Sequence, residues 1–216
     1  MDQLTDFLRQ MPKIELHVHL ESTMPGWLLE RFAVRQGRTL PRTPEELYHC
    51  SAEDLSDFLG FLDRICSYVG TTADLTEAAE HFSAACREEN ILYAEAILTP
   101  THWPQFSLPD IISAVTEGFD RGEAAGGADC RFTLSLSRNQ TAEEADALVS
   151  AMERCRTPRL AGLSIDGNEA LSGRTGDRFA PAFARARELG FGLTAHAGES
   201  SGPEGVLKGG PDRPRC

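Results

Sequence analysis

The sequence predicts an α/β fold, an incomplete parallel barrel carrying about five of the eight strand–helix units such a barrel needs. Three observations carry that expectation. A stretch near the N-terminus alternates apolar and polar residues with the two-residue period of a strand. Strand and helix signals then follow one another five times at short intervals, which favours a parallel sheet with right-handed crossovers. The residues with ligand chemistry fall at the C-terminal ends of the first and fifth strands, where α/β enzymes place their reactive groups.

The chain in order justifies each element. Residues 4–10 read as a short helix that Pro12 stops, since proline has no amide hydrogen and restricts the residue before it. Residues 13–20 form the first strand, with Ile14, Leu16, Val18 and Leu20 on one side, facing the helices. Lys13, Glu15, His17, His19 and Glu21 lie on the other. A helix over 27–36 ends at Gly37. The run Thr43-Pro44-Glu45-Glu46 has the chemistry of a helix start: a threonine cap, proline in the first turn, then acids at the positive end of the dipole. Residues 55–68 carry a helical stripe of Leu55, Phe58, Leu59, Leu62, Ile65 and Cys66. Inserted after the first strand, these helices are expected over its C-terminal end, as a lid or simply as a helical layer.

Further helices are expected at 72–89, 108–124, 141–154 and 178–189, the third with a Thr-Ala-Glu-Glu capping box. The remaining strands are expected at 91–98, 130–137, 160–165 and 191–197. Residues 200–208 read as a loop entering a helix, and the glycines and prolines of 209–216 stop it. On this reading residues 1–207 are one partial barrel domain and 208–216 an atypical tail. The chain is expected to be the first two-thirds of a larger protein, because no sixth strand can be counted.

Composition narrows the function. A formal net charge of -12 leaves few basic residues to neutralise phosphates, so nucleic acid is not the expected partner; a nucleotide or nucleoside substrate, held locally, is compatible with it. The six cysteines, at 50, 66, 86, 130, 155 and 216, have no CxxC spacing and are expected to be reduced thiols of a cytoplasmic protein. The acidic N-terminus has no apolar leader core, and no run reaches the length of a membrane span.

His17 and His19, two apart on a strand, point to one face and can offer two imidazole nitrogens to one metal ion. Ala195-His196-Ala197-Gly198-Glu199 adds a third histidine and a carboxylate at a distant strand end. Charged groups facing a barrel interior are costly unless coordinated or paired, which favours a metal centre. Glu95 shares a face with Tyr93 and Ile97, can as easily pair with Arg131, and is not expected to catalyse. His102 and Trp103 stand beside the mouth, lining a pocket or packing a loop; His49 and His81, on helical segments, are not expected to be ligands.

Together, residues 12–21 (Pro-Lys-Ile-Glu-Leu-His-Val-His-Leu-Glu), 163–169 (Leu-Ser-Ile-Asp-Gly-Asn-Glu) and 194–199 (Thr-Ala-His-Ala-Gly-Glu) resemble the adenosine/adenine deaminase family in order and spacing. The resemblance implies a TIM barrel of the metal-dependent hydrolase type. It implies one Zn2+ per chain, with His17, His19 and His196 as ligands, and Glu199 as the acid handling the proton at purine N1. It places His19 beside the substrate as well, gives the Gly167 amide to purine N3, and sets Glu21 where nucleoside-specific members carry an aspartate facing the ribose. The implied reaction is hydrolytic deamination of adenosine or a related 6-aminopurine, giving inosine or hypoxanthine and ammonia.

Ser22 departs from the family's usual glycine. The family's later-strand histidine, which orients the attacking hydroxide, and its Asp-Asp pair have no counterpart here; Asp166 and Asp177 lie on other segments. Two alternatives stand beside deamination: another metal-dependent amidohydrolase on the same barrel, and a non-catalytic or unstable fragment. Nothing in the sequence sets the oligomeric state.

Overall fold

The computed structural model describes residues 3–43, 45–48, 52–173, 175 and 177–208. Pro44, His49, Cys50, Cys216 and the tail 209–216, each given a reading above, lie outside the described residues.

The elements run α1 (Gln3–Gln10), β1 (Lys13–His19), a 3-10 turn (Leu20–Ser22), α2 (Gly26–Arg35), α3 (Leu55–Cys66), α4 (Thr72–Glu88), β2 (Ile91–Leu98), a 3-10 turn (Pro100–His102), α5 (Leu108–Ala124), β3 (Asp129–Ser137), α6 (Ala142–Arg154), β4 (Leu160–Asp166), α7 (Glu169–Ser172), α8 (Ala180–Glu188), β5 (Gly192–Leu193) and α9 (Pro203–Lys208). All four strand pairings are parallel, in the order β1-β2-β3-β4-β5. The result is the open five-stranded arc of a barrel, as the alternation of elements predicts.

Local chemistry sets the helix starts. Thr71 and Asp74 close a reciprocal capping box on α4, and Thr141 and Glu144 close another on α6. Asp54 accepts the Asp57 amide at the start of α3, and Ser107 accepts the Asp110 amide at the start of α5. Residues 45–48 depart from expectation: they make a turn, with the Glu46 amide 3.0 Å from the Thr43 carbonyl, and no helix is present there among the described residues.

The core lies between the sheet and the outer helices. Phe132 of β3 and Phe119 of α5 are fully buried, with ring centroids 6.2 Å apart. Helices α4 and α5 meet along a seam that requires glycine: a Cβ on Gly118 would lie 2.6 Å from Cβ of Ala79, and one on Gly122 2.6 Å from Cβ of Ser83.

Two expectations about the strands are corrected. Ile14 and Leu16 do not face helices; they are 67% and 60% exposed, because among the described residues no element covers that side of β1. Leu4, Phe7 and Leu8 of α1 are exposed as well, so an apolar flank borders the first strand. β5 is two residues long rather than seven. Beyond it the chain stays alongside β4 through the Thr194 amide to the Leu163 carbonyl and the His196 amide to the Ile165 carbonyl, each 3.0 Å. With a partner strand on one side only, this stretch keeps a ladder on that side alone.

Candidate metal centre

The alternation of β1 carries His17 and His19 to one face, and the extended segment after β5 brings His196 to them from the other end of the chain. His196 Nε2 lies 3.0 Å from His17 Nε2 and 3.0 Å from His19 Nε2. Three ring nitrogens so close cannot all present lone pairs to one another without repulsion; a cation among them accepts all three. The donor set therefore suits a divalent ion with a preference for imidazole.

The tautomer of His196 is fixed by its other nitrogen: Nδ1 lies 3.0 Å from the Ile165 carbonyl, which can only accept, so the proton sits on Nδ1 and leaves Nε2 bare. Burial, followed by the neighbouring His196, lowers the pKa of His17, while the charge of Glu199 works the other way. Burial pushes His19 down to about 4, against the pull of Asp166. Both rings thus favour the neutral state that metal ligation needs.

The other expected residues are placed as follows. Glu199 is exposed, three residues beyond His196. Gly167 follows β4 with φ +100, a conformation that a side chain would strain. Glu21 is fully buried, because the chain leaves the extended conformation at Leu20 and the strand's alternation no longer directs the side chain. Its Oε1 accepts the Thr99 amide at 2.6 Å, and Oε2 has no hydrogen-bond partner among the described residues. Thr99 Oγ1 in turn donates to Asp166 Oδ2 at 2.6 Å, so the C-terminal ends of β1, β2 and β4 are tied together.

Burial raises the Glu21 pKa from 4.5 to about 7. A carboxyl raised in the folded state stabilises the fold fully below its unfolded pKa, and that contribution is lost as pH climbs through the folded value. The loss between 4.5 and 7 is about 3 kcal/mol. The Glu21→Gln variant of the metal-free chain is therefore expected to melt higher than the unaltered chain at pH 8 and to match it near pH 4. Equal shifts at both pH values would contradict this account.

α3 is held over the strand ends as the inserted-helix reading expects. Trp103 Nε1 donates to the Cys66 carbonyl at 3.1 Å, His102 Nδ1 lies 2.9 Å from Asp63 Oδ1, and Asn168 Nδ2 donates to Ser56 Oγ at 2.8 Å. Trp103 is 1% exposed and serves to pack the loop. His81 stacks edge-on against Trp27, away from the histidine cluster. Glu95 accepts the Tyr93 hydroxyl at 2.6 Å rather than pairing with Arg131, whose guanidinium lies over the Tyr93 ring.

Sequence reading missed Arg138 and Glu169. Both are buried, 3.3 Å apart, and both contact the His196–Ser201 segment. The available signals were slight: Glu169 closes the 163–169 motif, and Arg138 is a cation just past a strand whose second half, residues 132–137, is small polar and apolar.

A parallel β/α arc in which imidazoles from β1 and from the segment just after β5 converge is the architecture of a partial barrel of the amidohydrolase class. An amidohydrolase from Burkholderia ambifaria solved with bound zinc superposes with a TM-score of 0.77 at 28% identity, over 89% of this chain and 54% of that one. An adenine deaminase from Arthrobacter aurescens superposes with a TM-score of 0.80 at 24% identity, over 91% of this chain and 60% of that one, a likeness of fold. A family profile described as adenosine deaminase matches residues 12–209, and the chain belongs to that family. The adenine deaminase of Rhodospirillum rubrum is 31% identical over 204 residues, 93% of this chain and 60% of the relative; that of Cupriavidus pinatubonensis is 32% identical over 202 residues, 91% and 56%. The chain thus spans about 60% of the length of the curated relatives it matches. Among the described residues, no helix is long and apolar enough to cross a membrane.

Proposed function

We propose that this chain carries the zinc-binding part of an aminohydrolase acting on a small 6-aminopurine, adenine or adenosine. The convergence of His17, His19 and His196 on one point, with Nε2 separations of 3.0 Å, is the observation that supports this reading most. Bound there, Zn2+ would supply Lewis acidity and a nucleophile drawn from water near neutral pH.

The chain's own groups supply the rest of the proposal. His17 and His19 come as a rigid pair from one strand, and His196 is held by the Ile165 carbonyl. Glu199, exposed beside them, would hold a proton at purine N1 so that the ring can accept electron density as C6 is attacked. Gly167, just past the end of β4, would offer its backbone amide to the ring, and Glu21 lies under the same mouth with Oε2 unpartnered among the described residues. In the balanced reaction a C6–O bond forms from water and the C6–N bond breaks; of water's two protons, one ends on N1 of the 6-oxopurine and one on the amino group, which leaves as ammonia. The proposed setting is the cytoplasm, where buried free thiols such as Cys66, Cys86 and Cys130 stay reduced.

A second reading, metal binding without appreciable turnover, has its own observation. Among the described residues the convergent donor set is these three histidines, with no carboxylate completing it. The zinc-supplemented full chain should be assayed side by side on adenine and adenosine, with zinc content measured in the same preparation. Ammonia with hypoxanthine or inosine supports deamination and, by their ratio, names the substrate. One equivalent of zinc with neither product supports the second reading. A chain that takes up no zinc overturns both.

A further inference from the structure

We propose that the buried Arg138–Glu169 pair is a positioning device that holds the His196–Ser201 segment in place and so sets His196 and Glu199 relative to the histidines of β1. The inference rests on the reading of His17, His19 and His196 as a metal centre, and adds two residues that touch none of its donor atoms.

The geometry is that of a two-sided clamp. Arg138, just past β3, is 3% exposed; its Nη2 donates to the His196 carbonyl and lies 3.3 Å from Glu169 Oε1. Glu169, at the start of α7, is 8% exposed. Its Oε1 accepts the Gly198 amide at 3.1 Å; its Oε2 accepts the Ser200 amide at 3.3 Å and the Ser201 hydroxyl at 3.0 Å. One side chain therefore holds the carbonyl before Ala197, and the other holds the amides on both sides of Glu199. Glu199 itself is exposed, so its aim is set by the backbone that flanks it.

The clamp is itself anchored. The Arg138 amide donates to the Asp166 carbonyl at 3.0 Å, and the Arg138 carbonyl accepts from Arg178 Nη2 at 2.8 Å. Asn168 caps α7 and accepts from Ser200 Oγ at 3.1 Å, fixing the helix against the same segment. A buried ion pair is weak evidence for stability on its own, because desolvation offsets the attraction. Here the hydrogen bonds that Arg138 Nη2 and the Glu169 carboxylate make beyond each other all go to one six-residue segment, while Arg138 Nε is left without a partner among the described residues, which points to placement of that segment.

The test uses the full chain and reads metal binding rather than turnover. Zinc affinity, the Co2+ ligand-field spectrum and hydrogen exchange at the Gly198 and Ser200 amides are measured for the unaltered chain and for Arg138→Met, Arg138→Lys and Glu169→Gln. Arg138→Met is expected to weaken zinc binding about 10- to 100-fold, the range for groups that orient metal ligands, and to change the Co2+ spectrum. Arg138→Lys, which keeps the charge but not the fork, should recover part of the affinity. In all three variants the two amides should exchange faster in the metal-free state.

A merely structural role predicts something different: lower melting temperatures, with zinc affinity within twofold and the Co2+ spectrum unchanged in the molecules that remain folded. That result overturns the proposal. Should Arg138→Met not fold, Arg138→Lys and Glu169→Gln decide by the same readouts. Failure of the unaltered chain to bind zinc removes the metal centre and this proposal with it, whereas zinc binding that the variants leave untouched removes only the clamp.

Discussion

Substituting His196 with alanine is expected to abolish tight zinc binding by the full chain, lowering affinity by more than about 100-fold. His17 and His19 come from one strand and form one half of the donor set; His196 is the ligand from the far end of the sheet, 3.0 Å from each of them. Without it, two imidazoles remain on an edge strand, and two ligands cannot close a tetrahedral site. The fold should tolerate the change. The backbone amide of residue 196 keeps its bond to the Ile165 carbonyl, and the side chain is half-buried. Equilibrium dialysis against zinc, with melting measured alongside, separates the two effects. Stoichiometric, tight zinc in the His196→Ala chain would place the ion elsewhere and end the proposed centre.

Trp103→Ala is expected to produce the largest loss of stability, about 3–5 kcal/mol, the range for removing a buried large aromatic side chain. For a chain of this size that is a fall in melting temperature of roughly 10 °C. Trp103 is among the largest fully buried side chains, and its Nε1–H satisfies the carbonyl of Cys66 at the C-terminal end of α3. The alanine variant leaves both a cavity and an unanswered carbonyl. Trp103→Phe retains much of the volume and should cost about 1–3 kcal/mol, the hydrogen-bond part alone. Denaturant titration of the pair measures both, and an alanine variant within 1 kcal/mol of the unaltered chain would show that α3 is not secured from this side.

The contrast between Trp103 and Arg138 shows what the sequence could reveal. Periodicity gave the longer helices α2 to α6 nearly to the residue, because each buries an apolar stripe and several open on capping residues; the helix expected to start at Thr43 is a turn, and the short α7 escaped it. It also put His17 and His19 on one face of β1, since two-residue alternation is a local property of extended chain. The same rule misplaced Glu21, where the chain turns at Leu20, and it could not foresee that Ile14 and Leu16 would lack a cover. Whether Trp103 lines a pocket or packs a loop depends on α3, more than 30 residues upstream in the chain. The clamp is further from view: Arg138, Glu169 and His196 come from three separate segments, and no spacing within any of them signals that they meet.

The strand order has a consequence for how the chain holds together. Each strand pairs with its predecessor in sequence, so the sheet can grow one unit at a time. The histidine cluster is different, joining residues 177 and 179 positions apart. An ion bound there would behave as a clasp across the whole arc, favouring the folded state in proportion to the logarithm of its free concentration over its dissociation constant. It could form only after all five strands were in register, and its removal would release the first strand from the last while leaving each neighbouring pair intact.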